Sequence, residues 1–347
     1  MAGLSAQRIR LLRFMGRMPS VSKIEARRGV LQRAFERYRS IAQSSEYSRY
    51  QTLLQFEASG AAEKEKALCE AENRKFKSTE SYAKLVELKA LRKNKDLRWY
   101  AKQEQAGVFT RLLRERELFF EDFSSSQLDK KRWLPRFFWG DALIKKGYSF
   151  IGDPHCYPDD NNLEIENSIL TIETRQDPRS ALAWDKELGF VSERFEYSSG
   201  VVCTGQSFRM HGGRLEVKLR IRHQPGVYHS LYLVGDTRTP EIDVFRTTTG
   251  KKPGIMSGVL RNEVNTLVPE EGVAVLPSGE DFFLITFDWE GTTLRWSINE
   301  VPYMTLEGRG LDAPMYLVFA SGVEPGASPA GVAKMEIDWV RCTAYDA

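Results

Sequence analysis

The apolar residues of this chain repeat with two different periods, and the change falls near residue 118. In "ARRGVLQRAFERYRSIAQ" the side chains of Val30, Leu31, Ala34, Tyr38 and Ile41 line one face of a helix, with arginines on the other. In "STESYAKLVELKALRKNKDLRWYAKQ" Leu85, Leu88, Leu91 and Trp99 repeat at helical spacing, and Ser78 and Thr79 stand before acids as a cap does. Between them "EASGAAEKEKALCEAENRK" carries a Ser-Gly break followed by helix formers of both charges. The pattern predicts two to four helices over residues 1–117. So few aromatic and branched residues predict no core of its own; the arm should pack on a partner, a second copy or the rest of the chain.

From residue 118 onward the period is two. "GRLEVKLRIRHQ", "HSLYLVG", "PEIDVF", "FFLITFDWEG", "TLRWSINEV", "PMYLVFASG" and "KMEIDWVRCTAY" alternate apolar and polar residues and are separated by Gly, Pro, Asn and Asp. No helical pattern intervenes. The fold class is therefore α+β by segregated parts: a helical N-terminal arm, residues 1–117, followed by an antiparallel β-sandwich or jelly roll, residues 118–347. Trp289 and Trp296 fall on the core face of a hairpin.

Charge changes the picture more than composition does. The chain is only slightly basic, +3, but residues 1–117 hold 26 Lys/Arg against 14 Asp/Glu, while residues 118–347 hold 24 against 33. A basic arm on an acidic body points to an anionic partner of the arm, and acidic protein surfaces in a larger complex are the expectation. The arm's candidate contacts are Arg8, Arg10, Arg13, Arg17, Arg27, Arg28, Arg33 and Arg37. Nucleic acid is the less favoured alternative. It would use Tyr38, Tyr47, Tyr50, Trp99 and Tyr100 as a stacking surface, although aromatic residues at helical spacing more often pack.

Other chemistries find little support. Cys69, Cys156, Cys203 and Cys342 are scattered, without a CxxC pair and without histidines beside them, so buried thiols are expected rather than a disulfide scaffold or a zinc site. There is no phosphate loop and no nucleotide-binding glycine fingerprint, and neither cofactor nor metal is expected. No stretch reaches the length of a membrane span. "MAGLSAQRIRLLRFMGRMPSVSK" lacks the apolar run of a secretory signal. It reads either as an organelle transit peptide or as a basic helix that stays and docks. The expected location is intracellular, with plastid or mitochondrion as candidate organelles.

The strand order carries a resemblance. "LFFEDFSSSQLDKKRW", "NNLEIENSILTIET", "YSSGVVCTGQSFRMHGGRLEVKLRI", "GVYHSLYLVGD", "DFFLITFDWEGTTLRWSINEVPY" and "MEIDWVRCTAY" follow one another as in the family 16 glycoside hydrolases. The resemblance is to the laminarinase and β-glucanase type, which are concanavalin-like jelly rolls. It implies a sugar cleft in which "PEIDVFR" is the catalytic strand, Glu241 the nucleophile and Asp243 the assisting carboxylate. The family's acid/base glutamate would fall on Phe245 in a regular strand, or on Arg246 across a bulge. Neither side chain is a proton donor for a leaving sugar. Tyr228 and Tyr232 stand where the family has two cleft tryptophans.

Glu241 and Asp243 are thus read as vestigial. Together with Tyr228, Tyr232 and Arg246 they form a candidate glycan cleft. Arg246 would pair with Glu241 or Asp243 if it bends round, or be a rim charge if it faces away. "MEIDWV" repeats the motif's letters in the closing strand and is read as a decoy. "TTTGKKPG" and "GVEPGASPAG" are either cleft rims or plain connections. The expected function is a non-enzymatic linker or accessory subunit, its basic arm binding acidic partners and its degenerate jelly roll serving as docking block. A β-glucan-binding, lectin-like protein is the alternative, and an active hydrolase with a loop carboxylate as acid the least favoured.

Overall fold

Alternation along the strands builds two sheets that share one apolar interior. The computed structural model describes residues 9, 11, 12, 14–237, 239–251, 254–263, 266–275, 281–308, 311 and 313–345. Arg8, Arg10 and Arg13 lie outside them. The chain divides into two compact units, residues 1–24 with 116–346, and Glu25–Glu115.

In the first unit, one sheet runs β15(Val301–Leu306)–β14(Thr293–Ile298)–β13(Phe283–Glu290)–β8(Gly213–Arg222)–β17(Ala333–Tyr345)–β5(Ile169–Asp185)–β6(Gly189–Ser198)–β3(His155–Cys156). β1(Glu115–Glu121) joins it on β17, and β2(Ser149–Phe150) and β4(Leu163–Glu166) on β5. The other sheet runs β12(Thr266–Val275)–β11(Gly254–Glu263)–β10(Glu241–Thr247)–β9(Val227–Val234)–β16(Tyr316–Val323)–β7(Val201–Cys203).

β8 shows how sequence becomes layer. Leu215, Val217, Leu219 and Ile221 enter the core, where they meet Phe283, Ile285, Phe287 and the buried Trp289 and Trp296. Its outward residues form a ladder of ion pairs: Arg214 with Asp288 at 2.6 Å, Lys218 with Asp338 at 2.8 Å and Arg220 with Glu336 at 2.7 Å. Glu336 and Asp338 of "MEIDWV" are therefore partners of basic residues on the outer face of the first sheet, not site residues. All four cysteines are free and buried.

The described part of residues 1–24 belongs with the sandwich, a boundary different from the expected one after residue 117. Apolar burial is the reason. Ile9 is fully buried in the sandwich core, Leu12 and Met18 pack against it, and Val21 and Ile24 lie on Leu284 and Trp339. The Asn299 amide donates to the Pro19 carbonyl at 2.9 Å.

The second unit holds α1(Val21–Ala42) from Glu25 onward, α2(Ser45–Ala58), α3(Ala61–Ala71), α4(Glu80–Leu91), α5(Lys95–Gln105) and α6(Thr110–Arg114). Ser44, Thr79 and Asn94 cap α2, α4 and α5 by accepting backbone N–H bonds. The expectation that this segment lacks its own core is corrected. Phe35, Tyr38, Ile41, Leu97, Tyr100 and Phe109 form one, with Tyr47, Tyr50 and Trp99 against it. Tyr38 and Tyr100 stack at 4.3 Å between centroids, and Phe109 lies 5.0 Å from Tyr38. These aromatics come from α1, α5 and the turn before α6, too far apart in sequence for one helical face to reveal. Packed this way they are no open stacking surface for nucleic acid. Val30 and Leu31, expected on the buried face of α1, are 60% and 38% exposed.

Ile24→Ala should lower the unfolding free energy of the sandwich by about 2–4 kcal/mol, whereas Val30→Ala should stay within about 0.5 kcal/mol. Urea unfolding followed by tryptophan fluorescence reads both, and equal effects would contradict the docking of this segment.

Candidate functional site

Strand β10 does not keep a regular register. Against β9 the pairs run Asp243↔Tyr232, then Phe245↔Leu231 and Arg246↔Ser230, so Val244 is an extra residue. The register to β11 shifts at the same place, between Asp243 and Arg246. This is a β-bulge. Ile242, Val244 and Phe245 all enter the sandwich core, and Phe245 is fully buried. Glu241, Asp243 and Arg246, all half-buried, face the other way. Of the two positions left open by the sequence, the structure assigns the outward one to Arg246.

The bulge frees backbone groups, and the core takes them up. The indole N–H of Trp296, from the opposite sheet, donates to the Asp243 carbonyl at 3.0 Å. The buried Ser257 hydroxyl donates to the Val244 carbonyl at 2.8 Å and lies 2.6 Å from the Tyr303 hydroxyl. A buried carbonyl left unpaired is destabilising, so these contacts hold the bulge where it is.

Arg246 is held on two sides. Its Nη2 donates to Glu324 Oε1 at 2.9 Å, and its guanidinium lies 4.0 Å from the centre of the Tyr228 ring. Glu324 belongs to "GVEPGASPAG", so this loop is a rim of the site. Burial works against the charge on Arg246, but Tyr228, Glu324 and Asp243 outweigh it and raise its pKa. Of the two alternatives for Arg246, pairing with Glu241 or Asp243 or standing as a rim charge, the structure gives an arginine ion-paired to Glu324 on the rim loop, with Asp243 contributing through its field.

A buried polar group lies beside this pair. His155 Nδ1 accepts from the Val323 N–H at 3.2 Å, which leaves Nε2–H to donate to the Tyr157 hydroxyl at 3.0 Å. Tyr157 in turn donates to the Ser321 carbonyl at 3.0 Å. Burial raises the pKa of Tyr228, so its hydroxyl is not simply in water. A side chain on Gly322 would collide with both His155 and Tyr228, which explains the glycine opposite Tyr228 on β16. Burial, reinforced by Arg246, depresses His155 to about 3. Asp153, half-buried near Arg246, has its pKa raised by burial.

The outer face of this sheet is only partly open. Val201, Cys203, Val234, Tyr316, Val318 and Ala320 point outward from β7, β9 and β16. Leu134, Phe137, Tyr148 and Tyr157 bury them in a second apolar cluster, with Tyr232, Leu182 and Phe190 packed against it. Side chains of α7(Phe138–Ile144) pack there too. Tyr232 is thus a half-buried member of this packing; burial, then Glu241, pushes its pKa well up. The chain itself fills the face on one side of Glu241 and Asp243.

Among the described residues no group of three or more His, Cys, Asp and Glu side chains is placed to hold a metal, and no helix is long and apolar enough to cross a membrane. On the N-terminal segment and α1, Arg17, Arg27, Arg33 and Arg37 are exposed and Arg28 is half-buried. Arg37 pairs with Asp96 at 2.5 Å and lies 4.5 Å from the Trp99 ring centre. Arg17 belongs to the first unit, and Arg27, Arg28, Arg33 and Arg37 to the second.

The first unit is thus a two-sheet jelly roll that carries Glu241 and Asp243 on the outer face of a bulged strand. The profile of Glycosyl hydrolases family 16 matches residues 155–341, more than half of the 347-residue chain, and the chain belongs to that family. It is 22% identical over 252 residues to Endo-1,3-1,4-beta-glycanase EglC of Rhizobium meliloti (strain 1021), covering 67% of this chain and 52% of that protein. It is 21% identical over 215 residues to Beta-glucanase of Rhodothermus marinus, covering 52% of this chain and 69% of the relative. EglC and its like extend well beyond the match: this chain spans about half their length.

Among solved structures, the catalytic domain of an endo-1,3-beta-glucanase (laminarinase) from Thermotoga petrophila RKU-1 superposes with a TM-score of 0.54 at 18% identity, covering 67% of this chain and 99% of that one. The endo-beta-1,3-glucanase from Pyrococcus furiosus gives 0.52 at 20% identity, covering 67% and 95%. At such identities the likeness is one of fold.

Ser257→Ala should destabilise the sandwich by about 1–3 kcal/mol by stranding the Val244 carbonyl; an unchanged urea midpoint would contradict this account of the bulge. Stability should also depend on pH. His155 and His229 are both buried and depressed from 6.5 to about 3. Each stays neutral in the fold while the unfolded chain takes up a proton, so its contribution is whole above the unfolded value and is lost as pH falls towards the folded one. Between pH 7 and pH 5 the unfolding free energy should fall by about 2 kcal/mol per histidine, and a flat profile would mean that neither imidazole is held neutral.

Proposed function

We propose that this chain is a non-hydrolysing member of family 16 that acts as a docking or accessory subunit. The sandwich is the rigid body, and the basic helical unit contacts acidic protein partners. The observation that carries the reading is Arg246. A retaining glycosidase needs a second carboxyl about 5–5.5 Å from its nucleophile to protonate the leaving oxygen. The outward position after the bulge instead holds a guanidinium, which gives up no proton at any working pH. Its bonds to Glu324 and Tyr228 keep it there. The apolar filling over β7, β9 and β16 supports the same reading, because an internally cleaved polymer needs room on both sides of the scissile bond. The helical unit has exposed arginines at positions 27, 33 and 37 and a core of its own, as suits a contact arm.

A second reading is favoured by one observation. Glu241 and Asp243 remain on the outward face beside Tyr228 and Tyr232, an arrangement suited to holding a sugar without cleaving it. Since the relatives are named as β-glucanases and β-glycanases, β-glucan is the glycan to try first.

Purified protein incubated with laminarin and with mixed-linkage β-glucan should release no reducing sugar above the buffer blank, since loss of a general acid lowers rates about 10²–10⁴-fold. Release by the wild type that disappears in Glu241→Ala would overturn the reading; Asp153→Asn and Glu324→Gln would then identify the carboxyl that serves as acid. Retention on immobilised laminarin, lost in Glu241→Ala without any hydrolysis, would establish the second reading.

A further inference from the structure

The helical unit has a groove distinct from the β10 site. It lies between α3, the short turn Phe76–Ser78 and α4, and encloses about 810 Å³. Phe76, Tyr82, Leu85 and Val86 supply its apolar lining, and Lys66, Lys75, Lys77 and Lys89 stand round it with a single acid, Glu63. Val86 is 51% exposed, far above what a finished helix interface leaves in water.

Several basic residues of these helices and their ends are already paired. Lys84 pairs with Glu80 at 2.8 Å, Arg49 with Glu87 at 2.6 Å, and Arg92 with Glu57 at 2.5 Å. Glu80, Glu87 and Glu57 are taken up in this way. Among the described residues none of the four groove lysines enters an ion pair, and all four are exposed. An apolar floor is therefore ringed by charge that the unit itself does not neutralise.

We propose that this groove receives an acidic amphipathic segment of a partner protein, with apolar side chains on Phe76, Leu85 and Val86 and carboxylates towards the four lysines. The inference rests on the interaction role given above to the helical unit and names the surface that performs it. Charge complementarity selects an acidic occupant, and the apolar floor selects one with an apolar stripe. From Tyr82 to Lys89 the groove follows α4 for about 10 Å, two helical turns, which suits anchors at i, i+3, i+4 and i+7. A small phosphate-like anion is a poorer fit, because long lysine stems present separate, well-hydrated point charges rather than the planar forks that grip such groups. Nucleic acid fits less well too: Phe76 meets Tyr82 edge-on, at 5.8 Å and 80°, so the two rings form no parallel platform for successive bases.

The test uses the full chain and fluorescence anisotropy. The probe is a labelled peptide of about 14 residues, four helical turns, with leucines at i, i+3, i+4 and i+7 and glutamates elsewhere. A permuted peptide of the same composition and a labelled oligouridylate of similar charge serve as comparisons. The amphipathic probe should bind saturably, the permuted one about tenfold more weakly. Lys66→Glu with Lys89→Glu, and separately Val86→Asp, should each weaken binding about tenfold. Lys93→Glu with Lys102→Glu, away from the groove, should leave it within about twofold. Circular dichroism confirms that the variants are folded.

Equal binding of the permuted peptide, or indifference to Val86→Asp, would mean attraction by charge alone and overturn the proposal. So would tighter binding of the oligouridylate, or no binding of any probe. Sedimentation showing a dimer abolished by Lys66→Glu with Lys89→Glu would overturn it in favour of a second copy as occupant. Hydrolysis of β-glucan by the same preparation with peptide binding intact would sink the reading of the sandwich and leave the groove standing. Loss of peptide binding without hydrolysis would sink the groove alone.

Discussion

The extra residue Val244 in β10 is the constraint on which the chemistry of this protein turns. With Val244 and Phe245 both drawn into the core, the strand resumes its alternation one step late and Arg246 faces outward. The bulge survives because its two displaced carbonyls are met from inside, by Trp296 across the sandwich and by Ser257 on the neighbouring strand. Large apolar side chains and two side-chain hydrogen bonds thus decide, from behind the sheet, which residue stands on its front. The same strand without the bulge would turn Phe245 outward and hide the arginine.

What stands in front is an arrangement of partners rather than a proton relay. Arg246 spans Glu324 and the face of Tyr228, while His155 is held neutral by its surroundings and fixed by the Val323 N–H and the Tyr157 hydroxyl. Buried networks with most members satisfied favour one geometry strongly. Next to it, aromatic residues of positions 134–157 lie over β7, β9 and β16 and make this sheet apolar on both faces there. Two-sided burial accounts for the unbroken burial of β16, which plain alternation would not require.

In the helical unit, packing and charge are separated in space. The aromatic cluster of Phe35, Tyr38, Tyr100 and Phe109 gives it a core of its own, and most acids on α2 and α4 are tied to nearby basic residues. Four lysines outside these pairs stand round an apolar groove. That distribution, more than the net charge of the segment, is what gives the surface a direction and a preferred kind of partner.

The sequence by itself determined the two periods, the sandwich, the core placement of Trp289 and Trp296, the resemblance to family 16, and the candidate positions Glu241, Asp243, Tyr228 and Tyr232. All of these depend on alternation or on order along the chain, which neighbouring residues reveal. It named Phe245 and Arg246 together because one-residue slippage is invisible in a strand with apolar residues at two successive places. Only the tertiary structure separated them, since the choice is made by contacts with Trp296 and Ser257, respectively 53 and 13 residues from the carbonyls they bind. It also supplied Glu324, His155 and Tyr157, joined residues 1–24 to the sandwich, and gave the helices a core whose aromatics lie tens of residues apart. Long-range packing decides such matters because burial and ion pairing depend on what meets in space, and a local window holds only one side of each contact.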